Sequence, residues 1–219
     1  KIEPPGKGDA MRQWGAADRD TGEPLWWNVI GRNKQSLTLD LRQTRGQEVL
    51  RELVKKVDVI IENFRPGTME RWGLSYDELS QVNPGLVMVR VTGFGQDGPY
   101  ASRAGFASVC EAMGGLRYLS GYPDRPPVRV GISIGDTLAG LHAALGTMMA
   151  LHHRDQTGQG QKLDLSLLNT AVLVNSDDFM RFRGKEDRPL ADNGLYGLSA
   201  IKRLYKADDG WIFLDCNQA

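Results

Sequence analysis

The chain has 219 residues, 41% apolar and 25% charged, a composition that can bury a sizeable core. Its 27 lysines and arginines balance 27 aspartates and glutamates, which leaves no basic excess for a nucleic-acid partner. Two distant cysteines, Cys110 and Cys216, exclude a CxxC zinc site and a disulfide framework and fit a cytoplasmic location; no apolar run approaches the roughly 18 residues of a membrane span.

Lys1-Ile2-Glu3 reads as the tail of a strand stopped by Pro4-Pro5-Gly6. With no initial Met or signal peptide, and an end just after another strand, truncation at both termini is expected. Residues 6–24, rich in Gly, Asp and Arg, read as a loop. After the apolar stretch 26–30, the alternation of 36–41 predicts a strand with Leu37, Leu39 and Leu41 on one face. Apolar residues at 49, 50, 53 and 54 predict a helix over 44–56. Residues 58–61 read as a strand buried on both faces. Asn63 to Gly67 is a turn, 69–72 and 75–81 are short helices, and 86–92 is a strand. This alternation predicts an α/β fold with a parallel, Rossmann-like sheet and right-handed crossovers, with ligands beyond the carboxyl ends of the strands.

Beyond residue 105 the spacing predicts a helix over 106–116, a Pro-rich loop over 122–130, and a long helix over 137–153. The apolar face of that helix is Leu138, Leu141, Leu145, Met148 and Met149, with Gly140, Ala144 and Gly146 suited to close packing. A Gly-rich turn at 156–161, a strand at 162–165 and a helix at 167–180 follow. Residues 204–206 and 211–214 form a hairpin around Asp209-Gly210. The domain reading is a large α/β domain over 1–180, a linker over 181–200 and the start of a smaller domain over 201–219.

Several motifs carry candidate chemistry. Asp136, between Gly135 and Thr137 at the start of the long helix, is a natural N-cap. The same position near the positive helix end suits an ionised, fixed carboxylate able to attack an acyl carbon, with Gly135 letting a ligand approach. Glu62-Asn63-Phe64-Arg65-Pro66-Gly67 is a turn that could equally form a cofactor lip. Arg42, Arg65, Arg71 and Arg103 lie in or beside loops and could bind phosphate through bidentate guanidinium contacts. Gly93-Phe94-Gly95-Gln96-Asp97-Gly98 has GxGxxG spacing, but Pro99 follows instead of a helix, so it is not a dinucleotide fingerprint. His142, His152 and His153 have no metal-ligand spacing and read as packing or surface residues; no metal site is expected.

Taken in order, these segments resemble the class III CoA-transferases, the family of formyl-CoA:oxalate and crotonobetaine CoA-transferases. The resemblance rests on Lys1-Ile2-Glu3 with Gly8-Asp9, residues 32–41, residues 58–67, Gly73-Leu74, Asn83-Pro84, residues 92–99, Gly135-Asp136 and residues 157–161. It implies that Asp136 is the nucleophile and that CoA or acyl-CoA is a substrate rather than a permanently bound cofactor. It implies CoA contacts from Leu39, Arg42, Asn63, Phe64, Arg65 and Arg71, and from Arg103, where the spacing differs slightly. It implies an interlocked homodimer. Pro4-Pro5 stands where some members carry arginine, and the family's N-terminal strand–helix and later glycine-rich loop have no counterpart in the sequence. An α-methylacyl-CoA racemase is a rival of similar fold, but its His-Asp pair is Phe106-Ala107 here, which removes an acid/base group. A CoA-binding protein without catalysis is the other alternative.

Overall fold

The computed structural model describes residues 1–120, 124–185 and 196–216; the Pro-rich stretch 122–130 and the linker 181–200 lie partly outside them. Internal contacts divide the chain into two units, residues 1–60 with 67–86, and residues 61–66 with 87–219.

In the first unit, β1 (Ile2–Glu3) and β2 (Leu37–Thr38) pair in parallel, and a 3-10 turn, Ala10–Gln13, and α1 (Leu25–Ile30) lie between them. The strand expected over 36–41 is thus two residues long and belongs to its own two-stranded sheet. Its physical reason is the Asp40 side chain, which accepts the Arg42 N–H at 3.0 Å, while the Gln43 N–H reaches the Asp40 carbonyl at 3.1 Å; together they close a turn. Leu37 is exposed, so no leucine stripe is buried there. The ribbon is anchored by buried Glu3, which accepts from Arg12 Nε at 2.6 Å, the Asp9 N–H at 3.0 Å and Ser36 Oγ at 2.8 Å. The Arg12 guanidinium above all holds the Glu3 carboxyl down at about 2.

The apolar spacing over 44–56 becomes α2 (Thr44–Val54), with Leu50 and Val54 buried. β3 (Val59–Glu62) follows, then α3 (Thr68–Arg71) and α4 (Tyr76–Val82). Ser75 and Glu78 form a capping box at the start of α4, a motif worth about 1 kcal/mol. Leu74 and Leu79 are fully buried, and α2 packs on α4. The Asn83 amide donates to the Val54 and Val57 carbonyls at 2.9 and 3.0 Å and ties the end of α4 to the end of α2.

In the second unit, the Ile61–Glu62 end of β3 leads a three-stranded sheet of order β3-β4-β5, with β4 (Val87–Thr92) in the centre and β5 (Gln161–Ser166) outside. β4 and β5 pair in parallel from Val87↔Gln161 to Thr92↔Ser166. Central β4 is the strand buried on both faces. β3 is an edge strand with Ile61 67% exposed, which corrects the expectation for 58–61.

α5 (Ala107–Met113) and α6 (Ile134–Thr157) stand beside this sheet, with α7 (Leu167–Val174) and α8 (Ser176–Phe179) after β5. The expected helix over 167–180 is broken at Asn175, whose buried amide donates to the Gly114 carbonyl at 2.7 Å. α6 packs against α5, α7, β4 and β5 through Gly135, Ala139, Ala143 and Ala150. The apolar face read from spacing points the other way: Leu141, Leu145, Met148 and Met149 are each at least 62% exposed, and Gly140 has open space beside it. Small residues allow the closest approach to the sheet, so they, and not the large side chains, take the inner face.

The last segment forms an antiparallel sheet of β6 (Gly197–Ser199), β7 (Lys202–Lys206) and β8 (Trp211–Asp215), with Ala207 donating to the Gly210 carbonyl across the expected turn. Trp211 to Leu214 are exposed. Among the described residues no helix is long and apolar enough to cross a membrane.

Candidate active site

The α5–α6 corner positions Asp136. The structure starts α6 at Ile134 after Ser133, so Asp136 lies in the first turn of a 24-residue helix and is not its cap. Ser133 makes no side-chain capping bond. The buried Glu111 of α5 supplies one instead, accepting the Gly135 N–H at 3.0 Å. A Cβ at Gly135 would stand 3.2 Å from Glu111 Cγ and Oε1 and 3.3 Å from the Ala107 methyl, so any other residue would press on these side chains. The close neighbour at this glycine is therefore the protein's own α5.

Asp136 is itself exposed, yet the surrounding protein, followed by the Glu111 carboxylate, pushes its pKa up. Desolvation first, then the like charge of Glu111, work against the charged form of Asp136 at this helix end. A carboxylate whose charged form is less well stabilised is the better nucleophile. Next to it, burial first, then Asp136 and Glu111, raise the Cys110 thiol to about 11, so that sulfur is inert.

Beneath the corner, Cys110, Ala139 and Leu167 form a buried cluster against which Val91, Phe94 and Leu168 pack. The glycine-rich segment is tied to it: the Gly93 carbonyl accepts from Cys110 Sγ at 3.2 Å, Ser166 Oγ at 3.1 Å and the Leu168 N–H at 3.0 Å. Gly95 takes φ +90°, where a side chain would be strained, and the next residue, Gln96, donates its N–H to Asp164 at 2.7 Å. The segment is a braced corner that runs on to Phe106 before any helix begins.

Phe94 also contacts Tyr100, with ring centroids 5.6 Å apart, and the Arg103 guanidinium lies 4.5 Å above the Tyr100 ring. Arg103 is thereby joined to the packing beneath Asp136. Asn63, Phe64 and Arg65 are all exposed at the end of β3. Buried Glu62 fixes the start of that lip, meeting Arg90 Nε at 2.6 Å and accepting the Phe64 N–H at 2.6 Å. Asp136, Asn63, Phe64, Arg65 and Arg103 belong to the second unit, whereas Leu39, Arg42 and Arg71 belong to the first. There Leu39 donates its N–H to the Glu3 carbonyl at 2.9 Å. Arg42 is held in a bidentate pair by Asp40 at 2.8 and 3.0 Å. Arg71 donates to Thr68 Oγ1 at 3.0 Å. The Arg42 side chain is 71% exposed, so its pair with Asp40 contributes little to stability.

Phe106 precedes α5 and is 79% exposed, whereas Ala107 opens the helix against Gly135. Sequence reading missed Glu111, and took Glu62 only as the first residue of the 62–67 motif. The signal for Glu111 was a lone acid in the otherwise small and apolar run Ala107-Ser108-Val109-Cys110-Glu111-Ala112-Met113. His142 contacts the Leu138 carbonyl through Nδ1 at 2.8 Å and His152 contacts Gln156 at 3.1 Å.

The model of CoA-transferase family III matches residues 1–219. The chain is 58% identical over 218 residues to succinyl-CoA–D-citramalate CoA-transferase of Chloroflexus aurantiacus, covering 99% of this chain and 54% of that protein. It is 49% identical to the alpha subunit of succinyl-CoA–L-malate CoA-transferase of Chloroflexus aurantiacus, covering 99% of this chain and 51% of the relative. The chain therefore spans about half the length of the curated relatives it matches. Among solved structures, a CAIB/BAIF family protein from Brucella suis superposes with a TM-score of 0.83 at 33% identity, over 98% of this chain and 57% of that one. A family match along the full chain, with Asp136 set at the head of α6, leads to one assignment: this chain belongs to CoA-transferase family III.

Proposed function

We propose that the chain carries the nucleophile-bearing part of a CoA-transferase that moves CoA from an acyl-CoA thioester to a carboxylic acid, with Asp136 forming the covalent intermediates. The observation that carries this reading is an exposed carboxylate in the first turn of α6, where the preceding Gly135 N–H is held by the buried Glu111 of α5. Asp136 attacks the donor thioester carbonyl. The C–S bond breaks, giving a mixed anhydride and CoA thiolate. The thiolate attacks the aspartyl carbonyl and expels the donor carboxylate, leaving an aspartyl-CoA thioester. The acceptor carboxylate displaces CoA as a second anhydride, and the thiolate then takes the acceptor acyl group and frees Asp136. Acyl activation is retained at every step, provided water is kept out.

The names of the relatives support succinyl-CoA as donor and a hydroxylated dicarboxylic acid of the citramalate or malate kind as acceptor. Leu39, Arg42, Asn63, Phe64, Arg65, Arg71 and Arg103 are the proposed CoA contacts. Residues 1–180 are the proposed catalytic domain, joined by the linker 181–200 to a smaller domain that begins at 201. The exposed apolar stripe Leu141, Leu145, Met148 and Met149 supports a homodimer in which that face is covered. No acid/base pair of the racemase kind is available at Phe106-Ala107, so α-carbon exchange is not expected.

The test is mass spectrometry of the intact protein after incubation with succinyl-CoA and hydroxylamine. A hydroxamate on the peptide containing Asp136 is expected. Tight CoA binding with that peptide unmodified would favour a non-catalytic binding protein, and solvent isotope entering the substrate α-carbon without CoA transfer would favour a racemase.

A further inference from the structure

We propose that Glu111 is a positioning residue for Asp136: its buried carboxylate caps the first turn of α6 from the neighbouring helix and so fixes the point from which the nucleophile attacks. The proposal rests on the reading of Asp136 as nucleophile. Four observations carry it. Glu111 is 2% exposed, although it is an acid in an apolar helix. Its Oε1 accepts the Gly135 N–H, immediately before Asp136 in the chain, at 3.0 Å. The α6 turn rests against it so closely that only glycine fits at 135 without displacing Glu111 or Ala107. Its Oε2 has no hydrogen-bond partner; the Arg117 guanidinium stands 3.9 Å away, with Arg117 Nε also unpartnered.

For stability alone this arrangement is poor. A buried carboxylate with one bonded oxygen costs several kcal/mol relative to an apolar side chain of similar size. A serine or aspartate at position 133 could cap α6 at far lower cost, yet Ser133 makes no such bond. What Glu111 adds is a link between the position of α5 and that of the Asp136 backbone. A nucleophile displaced by about 1 Å loses on the order of 10²-fold in rate.

The experiment measures kcat and KM for succinyl-CoA in the intact protein and in Glu111→Leu, Glu111→Gln and Gly135→Ala, with Asp136→Ala alongside. Glu111→Leu removes the acceptor and is expected to lower kcat about 10²-fold while KM changes less than about threefold, because the CoA contacts are untouched. Glu111→Gln keeps a carbonyl oxygen for the Gly135 N–H and is expected to recover most of that loss. Gly135→Ala pushes the turn off Glu111 and is expected to show the same split in milder form; it decides the matter should Glu111→Leu not fold. The proposal is overturned if Glu111→Leu, or in its stead Gly135→Ala, keeps wild-type kcat. It is equally overturned if Glu111→Gln is as impaired as Glu111→Leu, or if KM rises in step with the fall in kcat. Transfer surviving in Asp136→Ala would instead remove the nucleophile reading itself, whereas a dead Asp136→Ala with unaffected Glu111 and Gly135 variants would remove the positioning role alone.

Discussion

Two buried glutamates in the second unit are treated in opposite ways. Glu62, at the end of β3, meets Arg90 at 2.6 Å and takes the Phe64 N–H at 2.6 Å, so both of its oxygens are engaged. Glu111, on α5, takes one N–H from Gly135 and leaves its other oxygen 3.9 Å from Arg117. The first pattern is that of a structural ion pair, with its charge compensated on the spot and its geometry spent on shaping a loop. The second leaves a carboxylate field acting outward, and Asp136 is what it reaches. Full pairing shapes a loop; incomplete pairing leaves a charge that Asp136 feels.

The largest effect expected from this difference is at the corner. Asp136→Ala should lower kcat by about 10⁴-fold or more and leave the fold standing, since the side chain is exposed and makes no hydrogen bond that holds α6. Steady-state transfer assays with thermal melts check both halves. A variant that loses activity only in proportion to lost folded protein would return Asp136 to a purely structural place in α6.

Next in size is the rim. Arg90→Met strands the Glu62 carboxylate in a buried site and should cost about 3–5 kcal/mol in urea unfolding. Adding Glu62→Leu to Arg90→Met should recover much of that cost, because an apolar pair replaces an ionic one. If the double variant is as unstable as Arg90→Met, the pair is not the compensated unit the geometry describes.

Arg117→Met sharpens the contrast from the other side. A guanidinium 3.9 Å from the buried Glu111 with no hydrogen bond to it is the looser of the two pairs, and its loss should cost clearly less than the loss of Arg90. A loss matching that of Arg90→Met would show that Glu111 is as fully paired as Glu62.

The rim was more legible in the sequence than the corner. Glu62-Asn63-Phe64-Arg65-Pro66-Gly67 announces itself by turn residues after an apolar run, and the chain indeed leaves β3 there. Helical spacing likewise located α2, α5 and α6 to within a few residues. Periodicity could not tell which side of α6 faces inward, because the inner face is made of glycine and alanine and the large apolar residues are outside. Nor could it see that Ser133, and not Asp136, precedes the helix, or that Glu111 reaches Gly135 from 24 residues away. Contacts of that range depend on how two helices cross, which local patterning does not encode. The role proposed for Asp136 is carried in the sequence only by the ordered set of motifs along the whole chain.

The smallest effect expected is on the pH profile, and it asks whether the incompletely paired carboxylate is felt at all. Burial and Glu111 both disfavour the charged form of Asp136, so its pKa is raised above the ordinary 3.8. Attack requires the ionised form. Activity is therefore retained above the raised pKa and lost as the pH falls through it, which places the acid limb of kcat/KM above that of an unperturbed aspartate. The charged groups facing Asp136 from α5 are Glu111 and, when ionised, Cys110; the thiol stays protonated until about 11 and contributes nothing across this range. Glu111→Gln should accordingly move the acid limb down but not back to 3.8, since burial, the larger cause, remains. The same profile measured in Arg90→Met should keep its acid limb, because Glu62 is held by the rim. An acid limb at or below 3.8 in the unaltered protein would mean that Glu111 is as silent toward Asp136 as Glu62 is, and the distinction between the two carboxylates would lose its functional content.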